Sequence, residues 1–472
     1  NSQIRFKGDF AENHIGGDDK WSLRIKIRGD STLFGVKKFS IQKPETLQYI
    51  YEWLFNKAFF AEKGIAKRYK FVRVYFNGKY WGVMGLHEHF DKFLIENNKR
   101  RDGPIIRFDN EQAVVGGTQS DNFYKILNKT FSLPITHFER NKFKENDQFI
   151  ENFNIAADML EGLRQGHFKA SDVLDIDKFA IFTALVDLFE GYHGFIDSNM
   201  VFYFNPITSL LEPISQDISP GVHEADIAIG ISDGFLASNG FLWDDWKNSL
   251  NDRTILTALF KDNKFIERYI YHLTRIINDK YLESFFSSVE NELQSELTAL
   301  NADLDYRNYS FDKHNNILIN AREKIKNILN PPIGILSYFK KKEGSKIYLD
   351  VGSITYFPIE IISINYQDID IPVNKKLIIK GKNRYSLVNY SEIDFDIPNE
   401  ITSSSDISKD LFIKYKIPNT KKIYTDKVFA SSIFSKNNNL DFVRRNPNFL
   451  DFEFIKFNEK NKEVVIKSGD WN

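Results

Sequence analysis

The chain has 472 residues, of which 42% are hydrophobic and 27% charged, and its formal net charge is −1. This length suggests about two or three domains, each with its own core, and the composition is that of an ordinary globular protein. The balanced charge gives no reason to expect a nucleic-acid partner or an anionic membrane surface. No apolar run is long enough for a transmembrane helix, and the absence of cysteine excludes disulfides and thiolate chemistry.

The first hundred or so residues predict a compact, mainly β lobe that ends near residue 115. Residues 21–28 alternate apolar and basic side chains, as a half-buried strand does. A helix is expected from about residue 45 to 63, where apolar residues recur at helical spacing before a glycine. The clearest hairpin joins residues 71–76 to 80–86, because Asn77-Gly78 suits a type I′ turn.

A second hairpin, between residues 199 and 217, is the stretch most suggestive of chemistry. Two short apolar strands, 200–204 and 210–215, flank a turn that begins Asn-Pro. Such a turn brings the two ends of the hairpin together, so Asn199 and Asp217 are expected to lie close to one another. An amide oxygen and a carboxylate can share Mg²⁺ and leave room for phosphate oxygens. Protein kinases place an Asn and an Asp in this way.

Three segments, in this order, carry a resemblance to a known family. They are Arg28-Gly29-Asp30-Ser31 with Lys37-Lys38-Phe39-Ser40, then residues 72–83 leading to Glu88, then the hairpin from Asn199 to Asp217. Together they resemble the CotH kinase family, the spore-coat-H-like proteins with an atypical protein-kinase fold. The resemblance covers roughly residues 1 to 220.

The resemblance implies roles for several residues of the first lobe. Lys38, or alternatively Lys37, matches the lysine that holds nucleotide phosphates. Glu88 matches the acid after the first hairpin and either orders that lysine or caps the next helix. Glu52, on the predicted helix, is the other candidate for a kinase-like ion pair, and the sequence does not choose between them. Arg28 is expected either to contact phosphate or to pair with an acid of its own lobe.

The sequence also departs from the family pattern around the hairpin. Related sequences usually carry Trp-Asp-x-Asp or Trp-Asp-x-Asn where this chain has Gln216-Asp217-Ile218-Ser219, so one acid remains. The place of the ordinary kinase catalytic Asp, five residues before Asn199, is Gly194. Asp197 or His193 is therefore the candidate for the catalytic base. Asp226 is a candidate for the missing metal carboxylate.

The remaining sequence predicts a helical second lobe and a separate β domain. Residues 116–332 are mostly helical in pattern, around the hairpin, which places a site in the cleft between the lobes. After Pro331-Pro332 the chain turns to short β-type segments with polar turns, which predicts an immunoglobulin-like β-sandwich over residues 333–472. The expected fold class is α+β: a kinase-like two-lobe fold followed by this sandwich.

These observations lead to two main functional hypotheses. The first is an atypical, Mg²⁺-dependent phosphotransferase that uses ATP on a protein substrate. The second is a catalytically degenerate, kinase-like scaffold that acts at a bacterial cell or spore-coat surface, with protein or glycan contacts through its last domain. A third variant keeps the nucleotide but transfers AMP or glutamate. The compartment is not fixed by composition, and an extracytoplasmic location would require a targeting segment upstream of Asn1.

Overall fold

The computed structural model describes residues 2–7, 20–109, 133–139, 142–195, 197, 199–218, 254–331, 333–367, 369–382, 388–398, 407–430, 455–458 and 463–466. The chain forms two compact units, Asn1–Lys326 and Asn327–Asn472. It is a mixed α and β protein with several antiparallel sheets, which agrees with the α+β class. The expected lobe boundary near residue 115 lies outside the described residues.

The first unit begins with a five-stranded antiparallel sheet in the order β1-β2-β3-β5-β4. Its strands are β1 (Ser2–Phe6), β2 (Leu23–Ile27), β3 (Lys38–Gln42), β4 (Tyr69–Phe76) and β5 (Lys79–Glu88). The hairpin of β4 and β5 confirms the prediction from Asn77-Gly78, because both residues have the positive φ that a type I′ turn requires. The helix expected over 45–63 is shorter: a 3₁₀ turn at Pro44–Leu47 precedes helix α1 (Tyr51–Ala61).

Helices make up most of the rest of this unit. They are α2 (Lys92–Asn97), α3 (Lys142–Glu145), α4 (Asp147–Arg164), α5 (Ala170–Val173), α6 (Ile176–Leu188), α7 (Thr254–Lys261), α8 (Asn263–Ile276), α9 (Asp279–Asn301) and α10 (Asp312–Leu329). Helix α6 is buried on all sides from Phe179 to Leu188, which explains why its sequence is apolar without a polar face. Phe55 and Phe59 of α1 pack edge-on against Phe182 of α6, so α1 is attached to the helical core as well as to the sheet.

A second sheet lies among these helices and contains the hairpin that the sequence singled out. Its strands β6 (Ile105–Phe108), β7 (Ile135–His137), β8 (Val201–Asn205) and β9 (Leu210–Ile214) are in the order β7-β6-β8-β9. The pairing of β8 with β9 is antiparallel, from Val201 opposite Ile214 to Asn205 opposite Leu210. The predicted hairpin is therefore present, and its first and last residues lie at the same end of the two strands.

The second unit contains two four-stranded sheets and a separate strand pair. The sheets have the orders β14-β11-β10-β17 and β13-β12-β15-β16, and the pair is β18-β19. The strands are β10 (Ile335–Glu343), β11 (Lys346–Ser353), β12 (Ile359–Tyr366), β13 (Ile369–Ile379), β14 (Ser391–Asp396), β15 (Leu411–Lys416), β16 (Tyr424–Lys427), β17 (Phe429–Ala430), β18 (Ile455–Asn458) and β19 (Glu463–Ile466). An immunoglobulin-like sandwich stays a prediction. No helix in the described parts of the chain has the length and apolar character needed to cross a membrane.

Helix α9 and the turn after it hold the first sheet through acids that accept main-chain hydrogen bonds. The Glu296 carboxylate accepts from the Phe71 amide at 2.8 Å, and the Asp303 carboxylate accepts from the Val83 amide at 2.5 Å. Both acids are buried. Since β4 is an edge strand, Glu296 satisfies an amide that no neighbouring strand could reach.

We expect Glu296→Ala to lower the free energy of unfolding by about 1–3 kcal/mol, because it leaves the buried Phe71 amide without an acceptor. The matched control is Glu292→Ala, one turn earlier on α9, where an exposed carboxylate pairs with Lys57. That change is expected to cost no more than about 1 kcal/mol. Urea denaturation of both variants measures the difference; equal losses would show that Glu296 does not hold the sheet.

Candidate functional site

The site forms where the chain before β4 pairs with the end of the β8–β9 hairpin. Ile65 bridges to Ile214 in parallel, and the Ser215 amide donates to the Ile65 carbonyl at 3.0 Å. Asn56 of α1 fixes the junction, because its side-chain oxygen accepts from the Lys67 amide and from the Ser215 hydroxyl. This pairing places Lys67 beside the residues that follow β9.

Lys67 forms a buried ion pair with Glu52 of helix α1. Its ammonium lies 2.9 Å from Glu52 Oε1, and the two side chains are 2% and 1% exposed. The same ammonium donates to Gln216 Oε1 at 2.7 Å. Lys67 therefore joins three separate parts of the chain: helix α1, the approach to β4 and the segment after β9.

His193, Asn199 and Asp217 meet at the open side of this junction. His193 Nδ1 lies 2.9 Å from Asp217 Oδ2 and 3.3 Å from the Asn199 amide nitrogen, which also donates to the His193 carbonyl at 3.0 Å. Both ends of the hairpin thus contact the imidazole of His193. This agrees with the expectation that Asn199 and Asp217 lie close to one another. Asp217 has φ of +55°, a left-handed conformation that Asp and Asn tolerate better than most residues.

The local charges favour an ionised Asp217. Burial alone would raise the pKa of its carboxyl group, but the hydrogen bond with His193 and the charges of His193, Lys67 and Lys7 outweigh burial, and the pKa is lowered. The hydrogen bond to Asp217 correspondingly raises the pKa of His193. His193 is half exposed, so its ring remains within reach of a ligand.

Gly194 stands where an ordinary kinase has its catalytic Asp, and the packing here excludes any side chain. A Cβ at this position would lie 2.3 Å from the Ile218 side chain and 2.7 Å from the Gln216 carbonyl oxygen. Ile218 is fully buried, so it cannot move aside without opening the core. The glycine lets the loop and the segment carrying Asp217 approach each other closely.

Asp197, the other candidate base, is engaged elsewhere. Its side chain is buried, and its two carboxylate oxygens accept from the main-chain amides of Thr254 and Ile255, the first residues of α7. Asp197 therefore acts as the cap of a helix, where a carboxylate satisfies amides that the helix cannot.

Two of the predicted cofactor-binding residues of the first lobe, Glu88 and Lys37, have partners within that lobe. Glu88 is buried and forms a bidentate pair with Arg68, while the next helix, α2, is capped by Asp91.

Lys37 donates to the Gly29 carbonyl at 2.7 Å. Arg28 is exposed, with no ion pair to another described residue. Burial, followed by the charge of Arg24, lowers the pKa of Lys38 to about 8. Asp226 is outside the described residues.

The model of the CotH kinase protein family matches residues 4–328. The chain belongs to the CotH kinase family. The match covers more than half of the chain and nearly all of the first unit, and it supports a kinase-like fold there. A search of curated proteins finds no match.

Sequence reasoning missed the lysine that the structure places at the centre of this CotH site. The sequence offered Glu52 and Glu88 as partners for Lys38. Glu52 does pair with a lysine, but that lysine is Lys67. A weak signal was present: Lys67 follows the apolar residues Ile65 and Ala66 and lies ahead of a strand with few polar positions. Periodicity could not identify it, because Lys67 lies outside regular structure and its burial depends on α1 and the hairpin.

The residues present fit a magnesium nucleotide. Asp217 offers an ionised carboxylate and Asn199 an amide oxygen, and Mg²⁺ commonly takes only one or two protein ligands alongside phosphate oxygens and water. Within the described residues no group of three or more acids or histidines forms a self-sufficient metal site. A cation held by Asp217 and Asn199 would take its other ligands from water or from a bound phosphate.

We expect the buried pair to show strong coupling in a double-mutant cycle. Glu52→Gln or Lys67→Met alone leaves an uncompensated buried charge and is expected to cost about 3–5 kcal/mol of unfolding free energy. The double variant should cost at least about 2 kcal/mol less than the two single losses combined. Lys57→Met with Glu292→Gln, an exposed pair on α1 and α9, is the control cycle. Additive losses at Glu52 and Lys67 would contradict their pairing.

Proposed function

We propose that this CotH protein is a Mg²⁺-dependent phosphotransferase that uses ATP and modifies a hydroxyl group of a protein. The observation that carries the proposal is the link from the buried Glu52–Lys67 pair, through Gln216, to Asp217, Asn199 and His193. Protein kinases join a lysine–glutamate pair to an Asp and an Asn that hold the metal, and phosphoryl transfer depends mainly on such positioning and charge.

Each residue takes a role that its surroundings support. Asp217 and Asn199 hold the metal, which neutralises charge on the phosphates when it is bound. Lys67, oriented by Glu52, contacts the phosphates as a fixed positive charge. Lys38, Lys37 and Arg28 stay candidates for contacts with the rest of the nucleotide, whereas Glu88 orders Arg68.

His193 is the preferred base, because Asp197 caps α7. With Nδ1–H donating to Asp217, the other ring nitrogen of His193 is an acceptor on a half-exposed ring. His193 takes the proton of the acceptor hydroxyl as that oxygen bonds to the terminal phosphorus. The bond between that phosphorus and the bridging oxygen breaks in the same step, and ADP leaves.

A second candidate function is nucleotide binding without turnover, as part of a surface scaffold. Two observations favour it. Gly194 has no room for a side chain, and the Asp197 carboxylate accepts main-chain hydrogen bonds from α7. Neither of the two positions nearest to the usual kinase base is therefore placed to accept a proton from a substrate. The two candidates share the nucleotide site and differ in whether phosphate is transferred.

Titration calorimetry with ATP tests the shared site. We expect wild-type protein to bind ATP in the presence of Mg²⁺ and Asp217→Asn to bind at least about tenfold more weakly, since a metal-ligand charge is lost while a residue that tolerates positive φ is kept. Asp158→Asn, an exposed charge on α4, is the control and should bind like wild type. Absence of Mg²⁺-dependent binding in the wild type would exclude both candidates.

Transfer of label from γ-labelled ATP to a casein or peptide mixture, or to the protein itself, separates the two candidates. We expect His193→Gln to lower the rate of transfer by about 10²-fold or more while ATP affinity changes little, because the proton acceptor is removed and the metal ligands stay. Transfer by wild type with no effect of His193→Gln would assign the base elsewhere. ATP binding without transfer to any acceptor would support the scaffold.

A further inference from the structure

Gln216 connects the buried ion pair of the site with the solvent. Its side-chain oxygen accepts a hydrogen bond from the Lys67 ammonium at 2.7 Å. The Lys67 side chain is only 2% exposed, whereas Gln216 is partly exposed. Protein therefore covers most of the lysine, and the glutamine that contacts it keeps part of its surface open to a ligand.

The chemistry of this hydrogen bond fixes the orientation of the Gln216 amide group. A lysine ammonium donates and cannot accept, so the atom that faces it is the amide oxygen and not the nitrogen. Since the two atoms of one amide are about 2.3 Å apart, the nitrogen lies no more than about 5 Å from Lys67 Nζ. Within the part of the chain that the structure describes, the Gln216 side chain makes this one hydrogen bond. Both N–H groups of its nitrogen are therefore available as donors.

Gln216 also lies beside the other residues of the proposed site. It directly precedes Asp217, whose carboxylate contacts His193. Its carbonyl oxygen faces the loop that carries His193, because a Cβ at Gly194 would lie 2.7 Å from that oxygen. A ligand that occupies the space beside Asp217 and His193 is therefore next to a residue with two available donors.

The charged groups of the site are already paired with one another. Lys67 is paired with Glu52, and each charge is largely offset by the other. Asp217 is paired with His193 in the same way. The neutral N–H groups of Gln216 have no such partner, and a hydrogen bond to a charged acceptor is stronger than one between neutral groups. The hydrogen bond from Lys67 to the amide oxygen also polarises the amide and strengthens its nitrogen as a donor.

We infer that Gln216 binds a phosphate oxygen of the nucleotide through its side-chain nitrogen, while Lys67 holds its side-chain oxygen. This inference rests on the proposed nucleotide site and adds to it a residue that contacts the phosphates. Gln216 occupies a position at which this chain departs from the family pattern, since related sequences usually carry Trp there. An indole only donates, so it could not accept the hydrogen bond from Lys67.

Replacing Gln216 by glutamate separates a ligand contact from a structural role. Glutamate keeps an oxygen acceptor for Lys67 but replaces the N–H donors by a second, negatively charged oxygen. We expect Gln216→Glu to bind ATP with Mg²⁺ at least about tenfold more weakly than wild type in titration calorimetry, because a donor to phosphate is lost and a repulsive charge is added. A residue that only supports Lys67 would instead give the affinity of the wild type.

Two further variants show that the loss comes from the missing donor. Gln216→Met removes the donors without adding charge and is expected to weaken ATP binding by about tenfold. Gln294→Glu, at an exposed glutamine on α9, is the matched control for the added charge and should change the affinity by less than about twofold. Thermal unfolding of each variant shows which of them is folded and suitable for binding measurements.

Adenosine, which has no phosphate, is the comparison ligand, and its affinity should change by less than about twofold in the folded Gln216 variants. Wild-type-like or tighter ATP binding by folded Gln216→Glu would overturn the role of Gln216 and leave the nucleotide site standing. Equal losses for ATP and adenosine would do the same. A wild-type protein that binds no ATP would instead overturn the proposed function, and this inference with it.

Discussion

The buried ion pair of Lys67 and Glu52 is the interaction on which the rest of the site depends. Two charges that are almost fully removed from water are stable only when each keeps the other as a partner. This requirement fixes helix α1 relative to the approach to β4. The Lys67 ammonium also donates to the side-chain oxygen of Gln216. Because Gln216 precedes Asp217, this contact helps to fix the position of Asp217. Positions that are far apart in sequence thereby share one set of polar contacts.

Close packing around the hairpin sets the position of Asp217. Gly191 and Gly194 leave space for the Ile218 side chain, since a Cβ on either glycine would overlap it. With Ile218 buried in that space, Asp217 is held in a left-handed conformation facing His193. The same packing explains the departure from the kinase pattern: the space that a side chain at Gly194 would need is occupied by the segment that carries Asp217.

The two faces of the first sheet differ in chemistry, and one of them forms a core. Its outer cluster buries Trp81 and Phe39 among aliphatic residues, and helix α9 satisfies its edge amides through Glu296. The other face carries Arg24, Ser40 and His87, which lie side by side on β2, β3 and β5.

The sequence by itself determined the local features of this protein. The Asn77-Gly78 turn, the hairpin from Asn199 to Asp217 and the family resemblance all follow from short-range signals, and the structure contains both hairpins at the predicted places. Only the tertiary structure decided which polar residues meet. Lys67 rather than Lys38 pairs with Glu52, Glu88 pairs with Arg68, and Asp197 caps α7. The physical reason is that a side chain's partner depends on burial and on contacts between distant segments, and neither periodicity nor turn chemistry contains that information.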